Sequence, residues 1–305
     1  MAKFKLLEME GKIIEFLSSD GYVLNGALVE PKRRSTNPKT CVIYLHGLRG
    51  TFYSSHLLKY ISAELAERGT ATLSIETRGS YFINDLDKAP TSRKKKNNST
   101  ILCGGSIERF EDCTKDISGA VAEAHKRGYK RILLAGHSTG CQKISYYAHK
   151  TKGRRIAGLV VIAPMEDKPI YEKILGRRFA ATVSEAKRLS RQDPNAILPK
   201  SIGVGFLGAK RFVSLTDTHY PESMIFNYLS GLKQFGSIRK PVLAILAGAD
   251  QYAQMPAAEY ASRLQKSSSA GNVSVSIVPG ANHGFLYKEK DAAKAILSWM
   301  DSLDW

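Results

Sequence analysis

Apolar and polar positions along the chain fall into short blocks that alternate between two periods. KIIEFLSSDGYVLNGALVEP (12–31) reads as two strands around a turn at Asp20–Gly21. CVIYLH (41–46) is an unbroken apolar run, the pattern of a strand covered on both faces. Helical spacing follows in SSHLLKYISAELAERG (54–69), where Leu57, Leu58, Ile61 and Leu65 share a face and Gly69 closes the segment. TATLSIE (70–76), RILLA (131–135), GLVVIAP (158–164), PVLAILAG (241–248) and VSVSIVPG (273–280) read as further strands. Helical patterns separate them at 107–128, from near Cys141 through SYYAHK, near 256–266 and through AAKAILSWMDSL. Residues 80–106 lack either period, carry the charge run RKKKNN, and read as a surface loop.

Strands alternating with helices predict an α/β fold with a mostly parallel sheet covered on both faces. The rhythm breaks between Met165 and Lys240, where the pattern is helical and polar, as in EAKRLSRQDPNAILPK and PESMIFNYLSGLKQ. The expected organisation is therefore one core made of 1–164 and 241–305, interrupted by a helical cap at 165–240.

Composition narrows the classes. A chain of 305 residues with 43% hydrophobic and 9% aromatic content can bury a sizeable globular core. No apolar run approaches the roughly 20 residues a membrane helix needs, and the N-terminal MAKFKLLEMEGKIIEF places acidic residues where a signal peptide requires apolar ones. A cytoplasmic location is expected. Cys41, Cys103, Cys113 and Cys141 form no C-x-x-C pair and suggest no disulfide framework. The net charge of +17 raises nucleic acid as a partner, but the basic pairs and runs at 33–34, 93–96, 152–155 and 177–178 are scattered and lack interleaved aromatics. A solvated basic surface is the simpler reading.

The chemistry concentrates in GHSTGCQ (136–142), directly after the RILLA strand. A G-x-S-x-G pentamer is short enough to arise by chance, so its context decides. Here it ends a central strand and opens a helix, the setting of a nucleophile elbow, with Ser138 as nucleophile. A serine hydroxyl needs a base, and the base needs an orienting carboxylate. Asp250 follows the first strand after the cap in PVLAILAGADQ, and His283 follows the last strand in VSIVPGANHGF. The order Ser, Asp, His fits partners delivered from successive strand ends. Asp167 in APMED is an alternative acid, and a cap-entry turn is the other reading of that segment. An oxyanion needs two amide donors, expected from Thr139, after the nucleophile, and Leu48, in HGLRG. Gln142 is a candidate substrate contact, and Arg49 is either a contact to an anionic substrate group or a solvent-facing charge. No H-E-x-x-H or paired-cysteine pattern occurs, and GVGFLG (203–208), which has the G-x-G-x-x-G spacing, lies in the helical block without a buried strand before it, so neither metal nor organic cofactor is expected.

With these residues in place, the chain resembles the α/β-hydrolase superfamily over essentially its whole length. HGLRG, GHSTG, AGAD and ANHGF stand where its oxyanion, nucleophile, acid and base segments stand. More narrowly, GHSTGCQ followed by ISYYA, with APMED after the next strand, looks like a family of uncharacterised hydrolases that includes fungal fusarinine-type siderophore esterases. The resemblance implies an α/β-hydrolase fold, a Ser138–His283–Asp250 triad, a polar role for Gln142 beside the nucleophile, and a small-molecule ester substrate. Amide hydrolysis or acyl transfer by the same triad, and a non-catalytic binding protein on the same fold, are the alternatives.

Overall fold

The computed structural model describes residues 8–32, 39–90, 99–268 and 270–303. The basic pair at 33–34 and the RKKKNN run at 93–98 lie outside them.

Strands β1 (Lys12–Leu17), β2 (Val23–Val29), β3 (Thr40–Leu45), β4 (Ala71–Ile75), β7 (Arg131–His137), β8 (Gly158–Ile162), β9 (Val242–Ala247) and β10 (Val273–Val278) form one sheet in the order β1-β2-β4-β3-β7-β8-β9-β10. β1 and β2 pair antiparallel, as do β2 and β4, and the remaining neighbours are parallel. The continuous apolar runs are explained by the two faces. Cys41, Ile43 and Leu45 enter one buried cluster, and Val42 and Tyr44 enter the other. In β7, Ile132 and Leu134 go to the first, Leu133 and Ala135 to the second. Successive strand side chains point to opposite faces, so a strand covered twice must be apolar at every position. Each fully buried Leu, Ile or Val contributes roughly 1.5–3 kcal/mol over an exposed one.

Helices α1 (His56–Glu67) and α10 (Glu289–Asp301) cover one face; α2 (Cys113–Lys126), α3 (Thr139–Thr151) and α9 (Ala257–Ser267) cover the other. The expected apolar stripe of α1 is buried at Leu57, Leu58, Ile61 and Leu65, and Ser55 caps it by accepting from the Leu58 amide. The expected helix at 107–128 is shorter, because Phe110–Asp112 forms a 3-10 turn before α2 begins.

Residues 80–106 differ from the expected loop. β5 (Asn84–Asp87) and β6 (Thr100–Cys103) pair as a separate antiparallel ribbon. Only Leu86 and Cys103 in it are buried, so these four-residue strands leave too little alternation to register in the sequence.

Between β8 and β9 lie α4 (Asp167–Leu175), α5 (Phe179–Gln192), α6 (Ala209–Thr216), α7 (Pro221–Ile225) and α8 (Lys233–Gly236), with no strand among the described residues. This block is not uniform. Its first part encloses a small core of its own, including Tyr171, Ala186, Leu207 and Phe212. Its later residues Ile225, Phe226, Tyr228, Leu232 and Phe235 join the main cluster beneath α3 and α9. No described helix is long and apolar enough to cross a membrane.

Candidate active site

β7 ends in a turn that only a nearly side-chain-free sequence could make. Ser138 has φ 54° and ψ −127°, a sparsely populated conformation for a residue with a side chain. A Cβ on Gly136 would lie 2.4 Å from the Gly140 carbonyl oxygen, and one on Gly140 would lie 2.6 Å from the Leu45 oxygen. The two glycines of GHSTG are thus fixed by close backbone approach. The Ser138 amide donates to the Ile162 carbonyl at 3.0 Å, which ties the turn to the neighbouring strand.

Three residues from separate strand ends meet there. Ser138 Oγ lies 2.9 Å from His283 Nε2, and His283 Nδ1 lies 2.8 Å from Asp250 Oδ2. The Asp250 side chain is fully buried, and its Oδ1 accepts from the Tyr252 amide. A carboxylate can only accept, so His283 carries its proton on Nδ1 and presents Nε2 as an acceptor to the serine hydroxyl. An arrangement of this kind can take the proton from the hydroxyl onto the imidazole and stabilise the resulting charge.

The histidine is held from several sides. Its amide donates to Gln251 Oε1 at 3.0 Å, and its carbonyl accepts from His137 Nε2 at 2.8 Å. Burial, and then the neighbouring His283, lower His137 to about 4, so near neutrality it is uncharged with its proton on Nε2. The Tyr252 ring packs edge-on against His283, with centroids 4.9 Å apart. Sequence reasoning missed Gln251, Tyr252 and His137 in these roles. The only available signal was their adjacency to Asp250 and Ser138.

The HGLRG loop runs beside Ser138. A Cβ on Gly47 would lie 3.0 Å from the Ser138 Cβ. Leu48 and Thr139 both line the cleft, and neither amide has an acceptor among the described residues. His46 anchors the loop from beneath: neutral, it donates from Nδ1 to the Gly47 carbonyl at 2.7 Å, and its Nε2 accepts from Ser80 Oγ at 2.8 Å. Burial and the Lys143 charge lower His46 to about 4, which keeps it neutral. Arg49 is engaged elsewhere. It donates from Nη2 to the Phe206 carbonyl at 2.9 Å and stacks over the Phe82 ring, so it joins this loop to the helical block instead of facing the cleft.

Gln142, one turn beyond Ser138 on α3, lines the cleft and donates from Nε2 to the Met165 carbonyl and to Asp167 Oδ2, both at 3.0 Å. Asp167 therefore bonds to Gln142, and the carboxylate bonded to His283 is that of Asp250. The cleft encloses about 550 Å³, and Ile170, Tyr171, Ile174 and Val204 of the helical block form an apolar wall facing Ser138 and His283. No group of three or more His, Cys, Asp or Glu able to hold a metal ion occurs among the described residues.

Behind the cleft runs a buried ionic chain that nothing in the sequence signalled. Lys143 on α3 pairs with Glu108 at 2.8 Å, Glu108 pairs with Arg211 of α6 at 3.1 Å, and Arg211 pairs with Glu222 of α7. All four side chains are at most 2% exposed.

Residues 104–301 match a family model described as Protein of unknown function (DUF1749). The chain belongs to the DUF1749 family. A relative in Schizosaccharomyces pombe, UPF0613 protein PB24D3.06c, is 26% identical over 288 residues, covering 86% of this chain and 85% of that protein. Among solved structures, Est1E from Butyrivibrio proteoclasticus with ferulic acid bound is 20% identical with a TM-score of 0.63, over 93% of this chain and 97% of that one. A soluble variant of monoglyceride lipase from Saccharomyces cerevisiae, in complex with a substrate analog, is 14% identical with a TM-score of 0.60, over 98% and 96%. This DUF1749 member has the α/β-hydrolase fold.

Proposed function

We propose that this DUF1749 protein is a serine hydrolase that cleaves carboxylic ester bonds through an acyl-enzyme. The observation that carries the reading is the unbroken hydrogen-bonded chain from Ser138 Oγ through His283 to a fully buried Asp250. In this mechanism His283 Nε2 takes the Ser138 proton as Oγ attacks the ester carbonyl carbon. The Leu48 and Thr139 amides receive the oxyanion, and Asp250 fixes the imidazole tautomer and stabilises its charged form. Collapse of the tetrahedral intermediate expels the alcohol, which takes its proton from His283. Water, deprotonated by His283, then attacks the acyl carbon and frees Ser138.

The helices of 165–240 act in this reading as a cap whose apolar wall shapes the acyl or alcohol pocket, supported by the places of Ile170, Tyr171, Ile174 and Val204 in the cleft. The esterase and lipase names among the structural neighbours agree with ester chemistry. Hydroxamate siderophore esters are the first natural class to try, on the strength of the GHSTGCQ resemblance. The four cysteines, all free and buried, support a reducing, cytoplasmic setting.

Turnover of p-nitrophenyl esters from acetyl to octanoyl, beside matched amides and siderophore esters, tests the reading. Turnover of at least one ester by the native protein is expected, with kcat/KM falling about 10⁴-fold or more in Ser138→Ala at an unchanged unfolding midpoint. Full activity in that variant contradicts it.

A further inference from the structure

One turn along α3 from Ser138, the cleft wall carries polar atoms that ester hydrolysis does not use. Gln142 is 2% exposed, and its orientation is fixed because Nε2 faces two acceptors, the Met165 carbonyl and Asp167 Oδ2. Its Oε1 is buried and has no donor among the described residues. Asp167, which opens α4 and also lines the cleft, receives a hydrogen bond from this uncharged amide and from no other group among the described residues. The cations behind it are committed: Lys143 to Glu108, and Arg211 to Glu108 and Glu222. Two cations meet two carboxylates in that chain, so Asp167 has no cation of its own among the described residues. Burial, with Glu222 and Glu166 nearby, pushes its carboxyl up to about 7, against the opposing pull of Arg211 and the Gln142 amide.

Two adjacent acceptors, one of them a carboxyl lacking a counter-charge, fit a ligand group that brings both positive charge and N–H donors. A primary ammonium brings three donors and no acceptor. We propose that Asp167 and Gln142 form a substrate subsite for an alkylammonium group. Residues one helical turn apart stand about 5–6 Å from each other, so the ammonium sits within a few bonds of the scissile carbonyl. This inference names the substrate class for the proposed ester hydrolysis and rests on that reading for turnover, whereas binding at the subsite can be read without it.

Two pairs of near-isosteric esters test it at pH 8: ethyl 6-aminohexanoate against ethyl heptanoate, and ethyl 3-aminopropanoate against ethyl butanoate. Ethanol release by the native protein gives kcat/KM, and calorimetric titration of folded Ser138→Ala gives Kd. The ammonium member of at least one pair is expected to be preferred roughly tenfold or more in both measurements, the scale of a charge-assisted hydrogen bond. The ratio within that pair should fall to about one in Asp167→Asn, whose amide can turn N–H groups towards the ligand, and fall part-way in Gln142→Met. A trimethylammonium analogue, charged but without N–H donors, should lose most of the preference. Equal binding of both members of each pair by Ser138→Ala, or a preference undiminished in both Asp167→Asn and Gln142→Met, overturns the subsite. If the native protein cleaves no ester while Ser138→Ala still selects the ammonium member, the hydrolytic reading fails and the subsite stands.

Discussion

The sheet edge bearing Ser138 and the ionic chain behind it solve opposite placement problems. At the edge, three side chains arrive on loops after β7, β9 and β10, each at the end of a rigid strand, and their polar atoms meet beside an open cleft. Behind it, Lys143, Glu108, Arg211 and Glu222 arrive from α3, an irregular segment, α6 and α7, and are closed off from water. The first arrangement leaves its hydroxyl free to react. The second ties the helices of 165–240 to α3, and none of its four residues lines the cleft. Removing a group at the edge should therefore cost activity, and removing one from the buried chain should cost stability.

Asp250→Asn sharpens the contrast most, beside Ser138→Ala. It keeps the side-chain shape but supplies the wrong hydrogen-bonding partner to His283 Nδ1, so kcat should fall about 10⁴-fold with little change in unfolding free energy. Next in size is Arg211→Met. It strands Glu222 and Glu108 in a dry interior and should destabilise the protein by about 3–5 kcal/mol in denaturant unfolding. Should Arg211→Met leave stability untouched, the chain is not fastening the helices of 165–240. Gly140→Ala acts at the edge through packing, because its methyl would drive into the Leu45 and His46 carbonyls. A loss of about 1–3 kcal/mol together with reduced kcat is expected, measured by unfolding and ester turnover on the same sample.

The smallest effect is a pH slope. His46 and His137 are both lowered to about 4 in the native protein, chiefly by burial, from an ordinary value of 6.5. Between roughly pH 6.5 and 4 the unfolded chain binds protons at these sites that the native protein does not, so their contribution to stability is present above 6.5 and lost as pH falls through that window. His46→Gln removes one such site. Its unfolding free energy should fall less steeply with acidification over that window, by up to about 1.4 kcal/mol per pH unit. An identical slope contradicts the assigned burial of a neutral His46.

The same contrast explains what was legible in the amino-acid pattern. GHSTG, GAD and ANHG could be read because strand ends are easy to find and because Gly136 and Gly140 leave a signature of close backbone approach. The buried chain could not. Lys143 and Arg211 look like any solvated cation among 45 lysines and arginines, and the Glu108 they share is 35 and 103 positions away. The β5–β6 ribbon was hidden for a different reason, since it turns only Leu86 and Cys103 inward. Arg49 in HGLRG has the pattern of a substrate contact or a solvent-facing charge, but the partner it finds, the Phe206 carbonyl, lies 157 residues away and exists only once the chain has folded.

The central claim is that Ser138 is a nucleophile activated by His283, and covalent labelling addresses it most directly. Intact-mass and peptide analysis after exposure to an alkyl fluorophosphonate should find one adduct, on Ser138, absent in Ser138→Ala and formed far more slowly in His283→Ala. Labelling at another residue, no labelling, or an undiminished rate without His283 would contradict the account.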